Sequence, residues 1–321
     1  MKQVITKLGT MFAMVLVAAS ATGQSFQDVI IDEPTFRHFI PAPSAGEVSV
    51  VMEVGGLIVR GWSQNEIRVS GEFGDNPVHV ELSQDEGRTR IHVVPKIQGS
   101  ELVYRGNMNL VVNMPRQTNL IFSTTDADAL ITGVYGNQSL HSISGDIDTE
   151  IWQGSVIVES ASGDLTISNL SGLGLSENYV ESSDTSMVVL TTLSGDIEAR
   201  GPFNQLAAST FSGDIDLDIV DVSTLDLDTS NGDIEVQASL NQGAEISAET
   251  INGDLEFDVG EGADLSLDLG SYSGRIENCY GHAPQQSSSD AGRGLNVVGS
   301  DEAPRLRVRT LNGDIELVCS T

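Results

Sequence analysis

The segment Leu225-Asp-Leu-Asp-Thr-Ser-Asn-Gly-Asp-Ile-Glu-Val236 contains the pattern that determines the fold. Apolar and acidic residues alternate on both sides of Asn231-Gly232, and this period of two is typical of half-buried β-strands. The residues expected to point inward are Leu225, Leu227, Ile234 and Val236, and those expected to point outward are Asp226, Asp228 and Glu235. The Asn-Gly pair is expected to adopt the positive φ angles of a sharp turn. The segment therefore predicts a strand, a tight corner and a second strand.

The tetrapeptide at the centre of this segment recurs along the chain. Its Ser-Gly-Asp form begins at residues 144, 162, 194 and 212, and its Asn-Gly-Asp form begins at residues 231, 252 and 312. Ser273-Gly-Arg-Ile276 has an arginine in the aspartate position, and Ala127-Asp128 is interpreted as a degenerate corner. A repeat of about 20 residues with this alternation predicts an all-β fold, namely a parallel, β-helix-like β-solenoid with Ser/Asn-Gly-Asp corner turns.

The chain divides into three predicted parts. Residues 1–23 combine a basic start, a short apolar run and an Ala19-Ser20-Ala21 cleavage pattern, which indicates a signal peptide. Residues 24–120 contain many strand patterns without the corner tetrapeptide, so they form either irregular first coils or a separate β cap. Residues 121–321 form the regular solenoid.

Two coils of the solenoid are longer than the others, because the corner glycines are 32 residues apart at Gly163 and Gly195 and 39 apart at Gly274 and Gly313. Counting back from the next corner places the extra residues at 171–186 and 281–304. Both insertions are expected to leave the stack at the edge opposite the corners. Loops on one edge of a rigid repeat are frequent binding sites, although tolerated disordered insertions remain the alternative.

Charge and composition exclude several functions. The chain has 46 acidic and 16 basic residues and a formal net charge of −30. Nucleic acids and anionic membranes are excluded as partners, since contacts to phosphate need lysine and arginine. No membrane span is predicted after the signal peptide. The mature chain is expected in the periplasm, at the cell surface or outside the cell.

The aspartates of the corner tetrapeptide occupy one repeat position and should stack into a column. They are Asp146, Asp164, Asp196, Asp214, Asp233, Asp254 and Asp314. Carboxylates about 5 Å apart repel each other by about 3 kcal/mol at an effective dielectric constant of 20, so something must compensate. Each aspartate either accepts a hydrogen bond from backbone N–H groups of the turn or binds calcium, which is the only cofactor that the sequence suggests.

Other charged residues are expected on the outer surface. An acidic stripe, interpreted as a solubility device or as a weak site for cations and basic partners, consists of Asp148, Glu198, Asp216, Asp218, Asp226, Asp228, Glu235, Glu256 and Asp258. Arg305, Arg307 and Arg309 alternate with apolar residues along one strand. These arginines either form ion pairs with neighbouring acidic residues or form an anion site.

Cys279 and Cys319 follow consecutive corner glycines by five and six residues. Neighbouring coils bring such positions within bridging range, and we expect a disulfide in an exported protein. The five histidines are scattered, and no catalytic motif is found. A sugar-cleaving β-helix enzyme would need an aromatic-lined groove, but the strands contribute only Trp152, Phe211, Phe257 and Tyr272.

The stretch Gly55-Gly-Leu-Ile-Val-Arg-Gly-Trp-Ser-Gln-Asn-Glu-Ile-Arg-Val69, followed by the serial corner units, resembles the DUF4097 family of bacterial envelope proteins, provisionally named adhesins. The resemblance extends over residues 46–320 and implies a non-catalytic, exported β-solenoid. It suggests an adhesin-like scaffold that binds a protein or glycan of the cell envelope through loops on one edge, with self-association as a further option. The alternatives are a carbohydrate-active β-helix enzyme and a calcium-stabilised rod.

Overall fold

The computed structural model describes residues 28–74, 78–95, 108–170, 187–260, 264–286 and 292–319. The predicted signal peptide and the insertion at 171–186 lie outside these residues. The described residues form β-strands and contain no helix, which confirms the all-β class. The strands are β1 Val29–Ile31, β2 Thr35–Pro41, β3 Glu47–Trp62, β4 Glu66–Glu72, β5 Val78–Asp85, β6 Arg88–Pro95, β7 Asn109–Pro115, β8 Asn119–Thr132, β9 Gln138–Ser144, β10 Ile147–Ile151, β11 Val156–Ser162, β12 Leu165–Asn169, β13 Met187–Ser194, β14 Ile197–Pro202, β15 Gln205–Ser212, β16 Ile215–Asn231, β17 Ile234–Asn252, β18 Leu255–Asp258, β19 Ser266–Ser271, β20 Ile276–Asn278, β21 Gln285–Gln286, β22 Arg293–Val297, β23 Arg305–Asn312 and β24 Ile315–Val318.

The strands pair into two parallel ladders that meet at the corners. The first ladder contains the strands before each corner, in the order β6, β3, β8, β9, β11, β13, β15, β16, β17, β23, β19. The second contains the strands after each corner, in the order β7, β3, β8, β10, β12, β14, β16, β17, β18, β24, β20. The long strands β3, β8, β16 and β17 contribute to both ladders. Each coil of the chain adds one strand, which we call a rung, to each of the two ladders.

The stacking order departs from the chain order at both ends. The C-terminal coil, β23 and β24, lies between the coil that ends with β18 and the earlier coil of β19 and β20. At the other end, β3 lies between β8 and the later strands β6 and β7. Each end of the stack is therefore closed by a coil that the chain forms out of sequence order.

Charge favours the inner position of β23. It is the arginine-rich strand, and its partners on the two sides carry acidic residues. Arg305 lies 3.5 Å from Glu245, Arg307 lies 3.5 Å from Glu249, and Arg309 lies 2.5 Å from Asp268. Direct pairing of β17 with β19 would place Glu245, Glu249 and Asp268 on one face without a basic residue, whereas the inserted arginines form ion pairs with both neighbours.

Antiparallel strands cover the ends of the ladders. At the N-terminal end, β5 and β1 extend the first ladder beyond β6, and β4 and β2 extend the second beyond β7. At the other end β22 pairs antiparallel with β19, and β21 pairs with β22. Residues 281–304 are therefore not only a loop, as the sequence analysis proposed, because Arg293–Val297 form a strand that covers the last rung.

The interior between the ladders is apolar. Leu225, Leu227, Ile234 and Val236 are buried as predicted, and the acidic residues between them are exposed. The same alternation in every coil produces one continuous core, to which the N-terminal strands also contribute, through side chains such as Val50. Residues 24–120 thus supply both regular rungs, through β3, β6 and β7, and cap strands.

The corner glycines are required by close stacking. A Cβ atom placed on any of the eight repeat glycines would lie between 1.8 and 2.5 Å from the carbonyl oxygen of the adjacent corner. Positive φ, the reason inferred from the sequence, applies only to residues 145, 163, 195 and 213, and the glycines at 232, 253, 274 and 313 do not have it. The positive-φ prediction is therefore wrong for Gly232, where the approach of the neighbouring backbone excludes a side chain.

Candidate functional site

A hydrogen-bond ladder connects the corner aspartates. Oδ1 of each aspartate accepts a hydrogen bond from the backbone N–H of the residue in the same position of the next coil, at N···O distances of 2.7 to 3.0 Å. The ladder begins at Asp128, in the degenerate corner, and ends at Arg275. Because the N–H groups compensate part of the carboxylate repulsion, the geometry supports backbone capping, the first of the two interpretations made from the sequence.

The end of the ladder is neutralised by a side chain. The backbone N–H of Arg275 donates to Asp314, and its guanidinium lies 3.1 Å from Oδ2 of the same carboxylate. The hydrogen bond from the Arg275 backbone is the main cause that lowers the pKa of Asp314, and the Arg275 guanidinium adds to it. Within the described ranges, no group of three or more His, Cys, Asp and Glu residues is arranged to hold a metal ion.

Replacing Asp214 tests backbone capping against calcium binding. We expect Asp214→Ala to lower the free energy of unfolding by about 1 kcal/mol, because the N–H of Asp233 loses its acceptor. Asp214→Asn retains an Oδ1 acceptor and should cost less than half as much. Urea unfolding with and without calcium measures both. If calcium stabilised the wild type and neither variant, the column would be a calcium site instead.

A hydroxyl hydrogen-bond ladder, which was not predicted from the sequence, lies on the inner side of the corner. Three residues before each corner glycine stands a serine or threonine, a pattern that is visible in the sequence. The hydroxyls of Thr210, Thr229, Thr250 and Thr310 donate to the carbonyl oxygens of corner glycines in the adjacent coil, at 3.1 to 3.3 Å. The corner carbonyls in these coils thus obtain a hydrogen-bond partner, which stabilises the corner edge.

An exposed apolar column follows the same edge, at the residue two positions before each corner glycine. The strand register aligns these residues in successive coils as Ile143, Ala161, Leu193, Phe211, Ser230, Ile251, Leu311 and Tyr272. The six large side chains among them have between 46 and 58% of their area exposed. We call this column the apolar ridge. Because every coil places this residue outside the core, packing within the chain does not explain its apolar character.

A profile of the Toastrack DUF4097 family matches residues 63–318. The chain belongs to this family. Its stacked corners lie within the matched Toastrack region, and the resemblance inferred from the corner tetrapeptides is confirmed.

Three solved structures are similar to this Toastrack chain at low identity. A provisionally named cell adhesion protein from Clostridium sporogenes is 7% identical with a TM-score of 0.22, and the similarity covers 91% of this chain and 98% of that one. A provisionally named adhesin from Bacteroides fragilis is 10% identical with a TM-score of 0.42, covering 88% and 97%. A provisionally named lipid-binding protein from Parabacteroides distasonis is 14% identical with a TM-score of 0.42, covering 88% and 96%. Similarities at this level do not identify a partner. No curated protein matches the sequence.

The predicted acidic stripe is divided between the outer faces of the two ladders. Asp226 and Asp228 lie on the first ladder. The others lie on the second ladder in two neighbouring columns, which are Asp148, Glu198, Asp216, Glu235 and Glu256 in one and Asp218 and Asp258 in the other. Partial burial is the main cause that raises the pKa of Asp148, Asp228 and Glu256, and repulsion from neighbouring carboxylates adds to it. The second ladder therefore presents a strongly anionic face.

The remaining predicted residues have structural roles in the Toastrack domain. Arg305, Arg307 and Arg309 form the ion pairs described above, as the first of the two interpretations had it. Cys279 and Cys319 form a disulfide with their Cα atoms 5.9 Å apart, and it joins the two coils at the C-terminal end.

The aromatic residues do not form a sugar-binding groove. Trp152 stacks on Tyr135 with ring centroids 5.6 Å apart, and Phe257 is buried in the core. Phe211 and Tyr272 lie on the ridge, four rungs apart. An open cleft of about 430 Å³ beside the last coils contains Asp264 and Glu302, but none of its described lining residues is aromatic. In the described part of the chain, nothing helical has the length and apolarity needed to cross a bilayer.

Proposed function

We propose that this Toastrack protein is a non-catalytic, exported scaffold of the bacterial cell envelope, a rigid parallel β-solenoid that binds a partner at its surface. The apolar ridge is the observation that carries the proposal. A chain with a net charge of −30 exposes six large apolar side chains in one column, on an edge stiffened by two hydrogen-bond ladders. Exposed apolar patches of this extent are typical of interaction sites.

Export is supported by two features. Residues 1–23 have the pattern of a signal peptide, and a disulfide such as Cys279–Cys319 persists mainly outside the reducing cytosol. The provisionally named adhesins among the similar structures agree with an envelope role.

The edge opposite the corners is the second candidate surface. Strand β12 ends at Asn169 and β13 begins at Met187, while β20 ends at Asn278 and β23 begins at Arg305, so both insertions leave from the ends of second-ladder strands. Their attachment points share one edge, and a contact surface there would include the insertion at 171–186 and the part of 281–304 outside the cap strand Arg293–Val297.

Binding to washed envelopes of the parent cells tests the proposal. We expect the purified chain to bind, and the variant Leu193→Ser/Phe211→Ser to retain at most about one tenth of the bound amount, because two ridge side chains are removed. Deletion of residues 171–186 measures the contribution of the opposite edge. Fractionation with protease treatment of intact cells should place the native protein in the envelope or the medium.

Two results would contradict the proposal. The first is a wild-type chain that does not bind envelopes, and the second is equal binding by the wild type, the ridge variant and the deletion variant. Native protein found only in the cytoplasm would contradict the export part.

A further inference from the structure

We infer that the apolar ridge and the aspartate column beside it bind a basic amphipathic helix of a partner protein, laid along the corner edge. This inference rests on the proposed function and specifies the chemistry of the partner. It follows from the spacing of the ridge, from the aspartates on one side of it and from the uncharged outer face beside Leu193 and Phe211 on the other.

The spacing of the ridge suits a helix better than an extended peptide. Its eight positions lie in successive rungs, about 4.8 Å apart, and span roughly 34 Å. A helix repeats its apolar face about every 5.4 Å. Over three rungs the apolar residues of the helix are therefore displaced from the ridge residues by about 2 Å, which side-chain conformations can accommodate. An extended strand repeats about every 6.7 Å, and its mismatch over the same distance is about 6 Å.

Charge on the corner side requires a basic partner. Each of the seven corner aspartates from Asp146 to Asp314 follows its ridge residue by three positions, so their Cα atoms are within roughly 11 Å, whereas Tyr272 is followed by Arg275. These seven aspartates occupy successive coils, and each uses Oδ1 for the backbone ladder. A second copy of this chain would add another 30 negative charges, and an anionic membrane would also be repelled.

The other side of the ridge is uncharged beside Leu193 and Phe211, whereas the adjacent rungs carry Glu159, Asp226 and Asp228. Val189, Thr191, Ala207 and Ser209 lie on the outer face of the first ladder, next to Leu193 and Phe211. The complementary helix therefore has an apolar stripe, lysine or arginine on the flank that faces the aspartates, and neutral residues where the opposite flank crosses the rungs of Leu193 and Phe211.

Three peptides of 18 residues provide the test, each labelled for fluorescence anisotropy. The first has leucines at helical spacing with lysines on one flank, the second has glutamates in place of the lysines, and the third has the composition of the first with leucines at every second position. We expect only the first to bind the full chain, and to bind more weakly in 500 mM than in 50 mM salt.

Variants of the protein locate the site. Leu193→Ser/Phe211→Ser should weaken binding of the first peptide at least about tenfold, since two apolar contacts are lost. Asp196→Asn/Asp214→Asn keeps the ladder acceptors and should weaken binding severalfold with a smaller salt dependence. The matched control Leu130→Ser/Val298→Ser removes two exposed apolar side chains away from the ridge and should bind as the wild type does. Thermal melting verifies that each variant is folded.

The inference is overturned if the first peptide does not bind, if the ridge variant binds it unchanged, or if the third peptide binds as well. Ridge-dependent dimerisation in sedimentation would assign the ridge to a second copy, and ridge-dependent binding to phosphatidylcholine vesicles would assign it to lipid. Envelope binding that depends on the ridge, together with no peptide binding, would overturn the helix alone and leave the proposed function intact.

Discussion

Replacing Gly232 with alanine is expected to lower the free energy of unfolding by about 3 kcal/mol or more. The added Cβ would lie 1.9 Å from the carbonyl oxygen of Gly213 and 2.6 Å from its carbonyl carbon. Both atoms belong to the backbone of the adjacent coil, so the two rungs must separate and the ladder hydrogen bonds at this corner must lengthen. The midpoint of urea unfolding, followed by circular dichroism, measures the loss.

Two further variants distinguish steric contact from backbone strain. Gly232→Asn should be as destabilising as Gly232→Ala, because any Cβ meets the same carbonyl group. If a left-handed φ were the requirement, asparagine would be tolerated better than alanine. Gly294→Ala is the matched control, since its Cβ would have only an ordinary contact of 3.7 Å, and it should change the free energy by less than about 0.5 kcal/mol. Equal effects at Gly232 and Gly294 would contradict the stacking explanation.

Removing the disulfide with Cys279→Ser/Cys319→Ser is expected to cost about 4 kcal/mol. The estimate follows from the separation of 40 residues between the two cysteines, because a cross-link restricts the unfolded chain in proportion to the logarithm of the loop length. The loss should be local. Amide hydrogen exchange should accelerate in β19, β20, β23 and β24, the coils that the bond joins, while β13 to β16 keep their protection.

Reduction of the wild type provides the control for this prediction. The reduced wild type and the serine variant should unfold at the same urea concentration, since both lack only the cross-link. A variant that is clearly less stable than the reduced wild type would attribute the effect to the serines. A uniform acceleration of exchange along the whole stack would contradict the local role of the disulfide.

Much of the corner edge was visible in the sequence. The alternation around Asn231-Gly232 predicted which side chains are buried, and the recurrence of the tetrapeptide predicted the aspartate column and the degenerate corner at Ala127-Asp128. These predictions succeeded because alternation and recurrence are local properties that each coil repeats. The apolar ridge was also present in the sequence, two residues before each corner glycine, but its meaning depends on exposure.

The sequence by itself determined the all-β class, the repeat length and the family, because these follow from patterns within single coils. Only the tertiary structure decided the order of the coils, with β23 between β17 and β19, since that order brings together strands that are distant in the chain. It also decided why Gly232 is glycine, because the atom that excludes a side chain belongs to another coil. Contacts between coils are not encoded in the pattern of any one of them. The candidate binding surface depends on these contacts, because only the stacking of the coils aligns its exposed side chains along one edge.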